Sequence, residues 1–362
     1  MTQKQLLKTA SFTDIHWGCK NNSEQHLQDC DRYIDWFCEN VRKDPTIDSI
    51  VFMGDWYENR TALNIMTLSY SHRGAEKLND LGLPVYFIIG NHDLYHKHTR
   101  ELYSTITFDT FSNFIIVNEP TVFPELGVGG AMLSPFLFPE EYPGLIKYRD
   151  LKTWWGHFEF KDFVVTGYSM KMPTGPDASD FAGPDRIFTG HFHKRQHDRN
   201  VYYIGNTFPT NYGDVDDDER GMMIYDHKAN KAKFLDWEDC PKYRKVRLSV
   251  MLGGNVDIPK GARVKCIIDD SNVTSQEINA LRVQTLAKYD LREFVTEEDT
   301  QELDEILTST ETEVVINDDG TTTEVKVVQT NISIDELVLQ MLENIEGESI
   351  DKAALISEYK KL

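Results

Sequence analysis

Val85-Tyr86-Phe87-Ile88-Ile89-Gly90-Asn91-His92-Asp93 is the stretch on which the reading of this chain turns. Five apolar residues rich in β-branched and aromatic side chains predict a buried strand. The run breaks at a glycine, and three residues able to hold a metal ion or a proton follow at once. The same order recurs. Ile50-Val51-Phe52-Met53 leads into Gly54-Asp55, Trp154-Trp155 into Gly156-His157, and Ile187-Phe188 into Gly190-His191-Phe192-His193. Phe12 stands just ahead of Asp14-Ile15-His16, and Phe163-Val164-Val165 reads as a further short strand. Strand, glycine turn, ligand is a pattern that gathers distant residues at the carboxyl ends of strands, where open α/β sheets place their sites.

Asp14, His16, Asp55, Asn91, His157, His191 and His193 together offer enough hard and borderline ligands for two divalent ions, with room for water and a phosphate. Residues i and i+2 of an extended chain share a side, so Asp14 and His16 can aim at one ion, and so can His191 and His193. Carboxylate, amide and imidazole without thiolate suit Mn, Fe or Zn. Asp55 reads as the bridging carboxylate. His92 is placed to protonate a leaving oxygen or stabilise its charge, and Asp93 to fix the His92 tautomer. Each piece alone has a plainer reading. Asp-x-His is commonly a turn or surface pair, Gly-Asn-His-Asp a tight turn, and Trp154 to Phe158 an aromatic core segment. The ordered set of five is hard to explain by turn chemistry. His72, His96, His98, His197 and His227 lack this context and read as surface or structural.

The series Asp-x-His, Gly-Asp, Gly-Asn-His-Asp, Gly-His and Gly-His-x-His resembles the calcineurin-like metallophosphoesterases. Within them it is most similar to the SbcD-type nucleases of double-strand-break repair, particularly the short phage recombination-nuclease subunits. Asp14-Ile15-His16-Trp17-Gly18 resembles their first motif, and Gly156-His157-Phe158-Glu159 the phage form of the fourth. Tyr203-Ile204-Gly205-Asn206-Thr207 and Glu219-Arg220-Gly221, ahead of Met222 to Tyr225, resemble the segment after the last motif. The likeness covers most of residues 6–240 and, more loosely, the rest. Two departures stand out. Trp56, Tyr57 and Glu58 occupy positions where the subfamily has an aliphatic residue, Phe and Asp. Asp93 replaces the Glu of the protein phosphatases and tilts the reading away from them.

The resemblance implies an α/β (α+β) chain: a metallophosphoesterase β-sandwich flanked by helices, a small α/β capping domain and C-terminal helices. It implies two divalent ions, Mn²⁺ with Mg²⁺ as the alternative. It implies 3′-to-5′ exonuclease activity on double-stranded DNA with some single-strand endonuclease activity, alongside an SMC-like ABC ATPase of SbcC type, in recombination and break repair. A phosphomonoesterase or cyclic-nucleotide phosphodiesterase on the same metal site is the rival enzyme reading. A non-catalytic scaffold is the rival from another class, which a missing ligand or an absent His92 would favour; all are present.

A chain of 362 residues can build a sizeable core and two or more domains. Residues 1–240 hold every motif, and the segment 23–43 places Leu27, Cys30, Ile34, Phe37 and Val41 on one helical face. A second helix at 61–81 either pairs copies into a homodimer, as the resemblance implies, or simply packs on the sheet. The loop Met172 to Pro184 either lines the substrate approach or only connects. Asp214 to Glu219 reads as a solvated acidic loop. Residues 241–295 read as a small module, with strands at Val246 to Val250 and Arg263 to Ile268 and a helix at Ser275 to Tyr289. In it Arg244, Lys245, Arg247, Lys260, Arg263 and Lys265 are candidate phosphate contacts, or a solvated strand face. Residues 296–330, acidic and Thr-rich, read as a loosely structured linker with a short strand at Val325 to Val328. Residues 331–362 read as a helical tail. Its stripe of Leu337, Val338, Met341, Leu342 and Ile345 either docks on the ATPase, as the resemblance implies, or folds back on the catalytic domain.

Charge narrows the partners. The chain carries 38 bases and 59 acids, a net charge of −21. Residues 296–362 hold 18 acids against 4 bases, while residues 241–295 hold 10 bases against 6 acids. Affinity for DNA rests on phosphate contacts, so weak binding alone is expected, with a partner supplying much of the grip. Five cysteines without a C-x-x-C pair predict a reducing compartment. With no signal-peptide pattern and no apolar run near a membrane span, the expectation is a soluble cytoplasmic protein, in the host bacterial cytoplasm if phage-encoded.

Overall fold

The computed structural model of the chain describes residues 4–165, 170–254, 256–269 and 273–298, and the strands Thr308–Ile316 and Thr322–Thr330. The partner-binding stripe expected at Leu337 to Ile345, and the tail around it, lie outside the described residues.

Two six-stranded sheets make the core of the fold. In the first, β1 (Lys8–Phe12), β2 (Ser49–Phe52), β3 (Val85–Ile88) and β4 (Phe114–Val117) run parallel. The hairpin of β11 (Gly221–Asp226) and β12 (Lys231–Asp236) joins antiparallel to β1, giving the order β12-β11-β1-β2-β3-β4. In the second sheet, β6 (Ala131–Ser134), β7 (Thr153–Gly156), β8 (Arg186–Thr189) and β10 (Val201–Tyr203) run parallel. β5 (Thr121–Phe123) and β9 (Gln196–Asp198) close its two edges antiparallel. Phe163 to Val165 forms no strand; Val164 makes a single bridge to Lys171.

Strand period explains why the central strands are apolar throughout. Successive side chains point to opposite faces, and both faces of the first sheet are covered. Ile50, Phe52, Val85 and Phe87 pack into one cluster with the helix residues Leu27, Tyr33, Ile34 and Phe37. Val51, Met53, Tyr86 and Ile88 pack into another with Leu133, Trp155 and Phe188 of the second sheet. A parallel sheet covered on both sides needs no polar alternation. The helix α1 (Glu24–Lys43) buries the expected Leu27, Cys30, Ile34, Phe37 and Val41. α2 (Ile65–Asn79) starts where the Asn64 side chain accepts the Met66 N–H at 2.8 Å. No helix among the described residues is long and apolar enough to cross a membrane.

Beyond these sheets, β13 (Tyr243–Arg247), β14 (Arg263–Ile268) and β15 (Glu293–Glu298) form a three-stranded sheet. α3 (Ser275–Tyr289) opens with a capping box, Thr274 and Glu277 bonding reciprocally. The strand expected at Val246 to Val250 lies earlier, because buried Tyr243 sets its position by donating to the Thr210 carbonyl at 2.8 Å. Leu248–Leu252 is helical instead. Arg292 clasps the Asp29 carboxylate of α1 at 2.7 Å, and Arg263 reaches Gln25 at 2.5 Å.

The chain divides into two compact units. One holds the described residues of Met1–Val246, Val250–Cys266 and Asn272–Val295; the other holds those of Arg247–Ser249, Ile267–Ser271 and Thr296–Leu362. The second unit contains the stretch read as a linker, and two strands run through it. β16 (Thr308–Ile316) and β17 (Thr322–Thr330) pair antiparallel, Thr308 opposite Thr330 and Ile316 opposite Thr322. Their Thr and Val content favours strands, and the strand expected at Val325 to Val328 lies within β17.

Phe12 is fully buried and its ring lies 4.6 Å from Phe37 and 5.0 Å from Phe52. Phe12→Ala is expected to cost about 3–5 kcal/mol, read as a lowered denaturation midpoint with an unchanged slope.

Candidate metal centre

All seven candidate ligands follow the carboxyl ends of parallel strands. Asp14 and His16 come after β1, Asp55 after β2, Asn91 after β3, His157 after β7, and His191 and His193 after β8. The turns are sharp. Asp14, His16, Asp55 and His191 have φ of 52°, 51°, 60° and 86°. Left-handed conformations cost non-glycine residues about 1–3 kcal/mol each and persist only where the surroundings hold them. Here backbone bonds between loops do so: Asp14 N–H donates to Gly54 O at 2.9 Å, and His16 N–H to Asp55 O at 3.2 Å. The glycines ahead of the ligands permit the close approach. A Cβ on Gly90 would stand 2.3 Å from both the N and Oδ1 of Asp55, and one on Gly190 would stand 2.1 Å from Thr13 Oγ1.

The donor atoms fall into two groups that share Asp55. His16 Nε2 lies 3.1 Å from His193 Nε2, 3.9 Å from Asp14 Oδ1 and 3.8 Å from Asp55 Oδ2. His157 Nε2 lies 2.9 Å from Asn91 Oδ1 and 3.4 Å from the same Asp55 Oδ2, and His191 Nδ1 lies 3.0 Å from Asn91 Oδ1. Donors bound at about 2.1 Å to one ion sit about 3–3.5 Å apart along the edges of its coordination polyhedron. The spacing therefore suits one ion in each group, with Asp55 Oδ2 between them.

Hydrogen bonds on the far side of each ring show that these atoms present lone pairs to one another. His16 Nδ1 meets the Glu58 carboxylate at 2.8 Å, His157 Nδ1 meets the Met53 carbonyl at 2.7 Å, and His191 Nε2 meets Glu159 at 3.2 Å. The Nδ1–H or Nε2–H of each ring is thus spent outward, and the other nitrogen faces inward as an acceptor. Acceptors facing acceptors at hydrogen-bond distance require a positive charge between them. Burial opposes charge on His157 and His16, yet Asp55, Asp14 and, for His16, Glu58 outweigh it, and both imidazoles are pushed up to about 9. A proton or a bound cation satisfies that demand. Burial and the nearby His16 hold His193 well below its ordinary value, in the neutral form that binds metal. The residues fit a pair of divalent ions.

His92 stands at the cleft of about 250 Å³ that these ligands line with Cys19, Thr210 and Asn211. Its Nδ1–H donates to the Glu58 carbonyl at 2.8 Å, which leaves Nε2 available. The expected pairing of Asp93 with His92 is not formed. The buried Asp93 carboxylate turns back and accepts the backbone N–H groups of Asp55, Trp56, Tyr57 and Gly90 at 2.9–3.2 Å. Asp93 pins the Asp55 loop to the Gly90 turn; it touches no reacting group. Glu58 and Glu159, which orient His16 and His191, were missed as functional residues. Glu58 sits three residues beyond Asp55, and Glu159 two beyond His157, spacings with no signature of their own.

The candidate phosphate contacts scatter. Arg263 is buried between Gln25 and Glu293, so it is a packing residue and not a surface contact. Arg244 is committed to Asp216 and Asp218. Lys265 lies over the Tyr212 ring, Arg247 lies 3.9 Å from Asp269 and exposed Lys260 3.3 Å from Asp290, while Lys245 is exposed. The acidic turn at Asp214 to Glu219 is correspondingly not a solvated loop. Asp214 and Arg220 are buried, and Asp217 holds Arg220 at 2.5 Å.

Calorimetric titration with Mn²⁺ is expected to show no bound ion in Asp55→Ala, because both groups lose their shared oxygen. Glu58→Ala is expected to keep two ions at about 10–100-fold weaker affinity, the usual cost of losing a carboxylate behind a ligating histidine. Two ions retained by Asp55→Ala would contradict the shared position.

Exonuclease subunit 1 of Enterobacteria phage T4 is 24% identical over 239 residues, which is 63% of this chain and 67% of the phage protein. Among solved structures, a Pseudomonas putida nuclease aligns at 14% identity and a TM-score of 0.29, covering 62% of this chain and 87% of its own. A dimetal phosphatase from Danio rerio aligns at 8% identity and a TM-score of 0.35, covering 61% and 92%. The calcineurin-like phosphoesterase profile matches residues 7–195, a span that contains all seven candidate ligands and more than half of the 362 residues. The chain belongs to the calcineurin-like phosphoesterases, metal-dependent hydrolases of phosphoester bonds.

Proposed function

We propose that this phosphoesterase is a two-metal DNA nuclease subunit, Mn²⁺-dependent, that degrades double-stranded DNA from 3′ to 5′ and nicks single strands. The observation that carries the reading is the shared oxygen: Asp55 Oδ2 within 3.4 Å of His157 and 3.8 Å of His16, at the meeting point of two donor groups. The similarity to a phage exonuclease subunit supports DNA as the substrate. It also supports a partner, for which an SMC-like ABC ATPase is the proposal. The net charge of −21 fits a subunit that relies on another chain for DNA affinity.

Two divalent ions, when bound, supply charge neutralisation for the phosphate and activation of water. The chain's residues do the rest. Asp14, His16, Asp55 and His193 would hold one ion, and Asp55, Asn91, His157 and His191 the other. The Glu58 carbonyl fixes the His92 ring through Nδ1–H and leaves Nε2 facing the cleft, so the imidazolium form of His92 can give its Nε2 proton to the leaving 3′ or 5′ oxygen or donate that N–H to the developing charge. His92 N–H also donates to Asp55 Oδ1 at 2.8 Å, which ties the proton donor to the bridging carboxylate. Substrate phosphate entering the cleft thus meets both groups in one register.

Cleavage of end-labelled linear duplex in Mn²⁺ tests the reading. Wild type is expected to digest it, and His92→Ala to lose about 10²–10⁴-fold in rate while still binding two ions. Near wild-type digestion by His92→Ala would remove His92 from the mechanism. Hydrolysis of a chromogenic phosphodiester without DNA cleavage would remove the nuclease reading.

A further inference from the structure

A side cleft of about 270 Å³ begins at two of the candidate ligands, Asn91 and His191, and is lined beyond them by Arg60, His96 and Lys97. Four of its residues, Lys97, Phe136, Phe138 and Glu159, also line a larger cavity of about 690 Å³. Phe136 forms the join, its ring 5.7 Å from that of His191 and 6.0 Å from that of Phe138. Tyr142, Ile146 and Phe181 give the larger cavity apolar walls, and Thr174 to Pro176, from the loop ahead of the last motif, complete it.

We propose that this cavity takes an unpaired nucleobase from a nucleotide next to the scissile phosphate. The proposal rests on the nuclease reading above and adds the form of DNA that the site accepts. Three observations select a base over other occupants. The cavity is continuous with the metal centre through residues that also flank His191. Its aromatic walls suit a flat, uncharged ring, which stacks well on such side chains, and its volume admits one with room to spare. Its charged groups sort the parts of a nucleotide. Arg60 stands in the side cleft and Lys97 at the join of the two cavities, neither with an acidic partner among the described residues, where neighbouring phosphates would pass. Asp180, which lines only the larger cavity, repels a phosphate there but accepts N–H groups from a base edge. A paired base cannot enter such a pocket without leaving its stack. The enzyme should therefore act on frayed, mismatched or single-stranded nucleotides and handle duplex by opening its end.

The test compares a single-stranded oligodeoxynucleotide with a strand of equal length built wholly from abasic residues, in Mn²⁺. Wild type is expected to cut the abasic strand roughly 5–150-fold more slowly, the value of one stacked base. Ile146→Trp, at a position 58% exposed on the cavity wall, is expected to fold normally and to cut both strands at the slow abasic rate. Equal wild-type rates on the two strands would overturn the pocket and leave the nuclease reading standing. So would an Ile146→Trp variant that keeps the full preference for bases. Failure to cut either strand, with bis(4-nitrophenyl) phosphate still hydrolysed, would overturn both readings.

Discussion

Seven candidate ligands meet at the rim of two sheets, and three of their imidazoles spend the outer nitrogen elsewhere and turn the inner one toward carboxylate and amide oxygens, an arrangement that positive charge stabilises. His157 Nε2 faces Asn91 Oδ1 at 2.9 Å with its Nδ1–H spent on the Met53 carbonyl, and His16 Nε2 faces His193 Nε2 at 3.1 Å with its Nδ1 turned to Glu58. The rest of the structure is arranged to enforce these contacts. Left-handed turns at Asp14, His16, Asp55 and His191 store strain. Glycines at positions 90 and 190 let the loops approach within distances that no Cβ would allow. Asp93, fully buried, locks the Asp55 loop to the Gly90 turn through four backbone N–H donors.

The sheets supply the rigidity that this demands. β1, β2 and β3 deliver ligands from one sheet, and β7 and β8 from the other. The apolar cluster joining Val51, Met53 and Ile88 to Trp155 and Phe188 fixes the two rims relative to each other. Close packing transmits small displacements, so a loss in that layer would be felt at the metal positions. The outward hydrogen bonds of Glu58, Glu159 and the Met53 carbonyl then set which nitrogen of each ring faces inward. Substituting Glu58 for the Asp expected by resemblance keeps a carboxylate behind His16, so the departure alters side-chain length and preserves the chemistry.

Much of this was legible before any coordinates. The repeated order of apolar run, glycine and ligand located all seven donors and the strands that present them, because strand period and glycine turns are local properties. What could not be read depends on contacts between distant segments. Asp93 follows His92 in sequence, which suggested a pair, yet the turn points its carboxylate at backbone donors 36 to 38 residues earlier. Arg244 and Arg263 look like DNA contacts by composition, but Asp218 and Gln25 claim them from other elements. Val325 to Val328 reads as a strand, but its extension to Thr322–Thr330 and its pairing with Thr308–Ile316 depend on a partner segment that composition does not reveal.

The central claim is the pair of cation positions about Asp55, and anomalous diffraction from crystals soaked in Mn²⁺ addresses it most directly. The account expects two peaks about 3.5–4 Å apart, one among Asp14, His16 and His193 and one among Asn91, His157 and His191, with Asp55 Oδ2 bonded to both. A single peak, or two peaks that do not share Asp55, would contradict it.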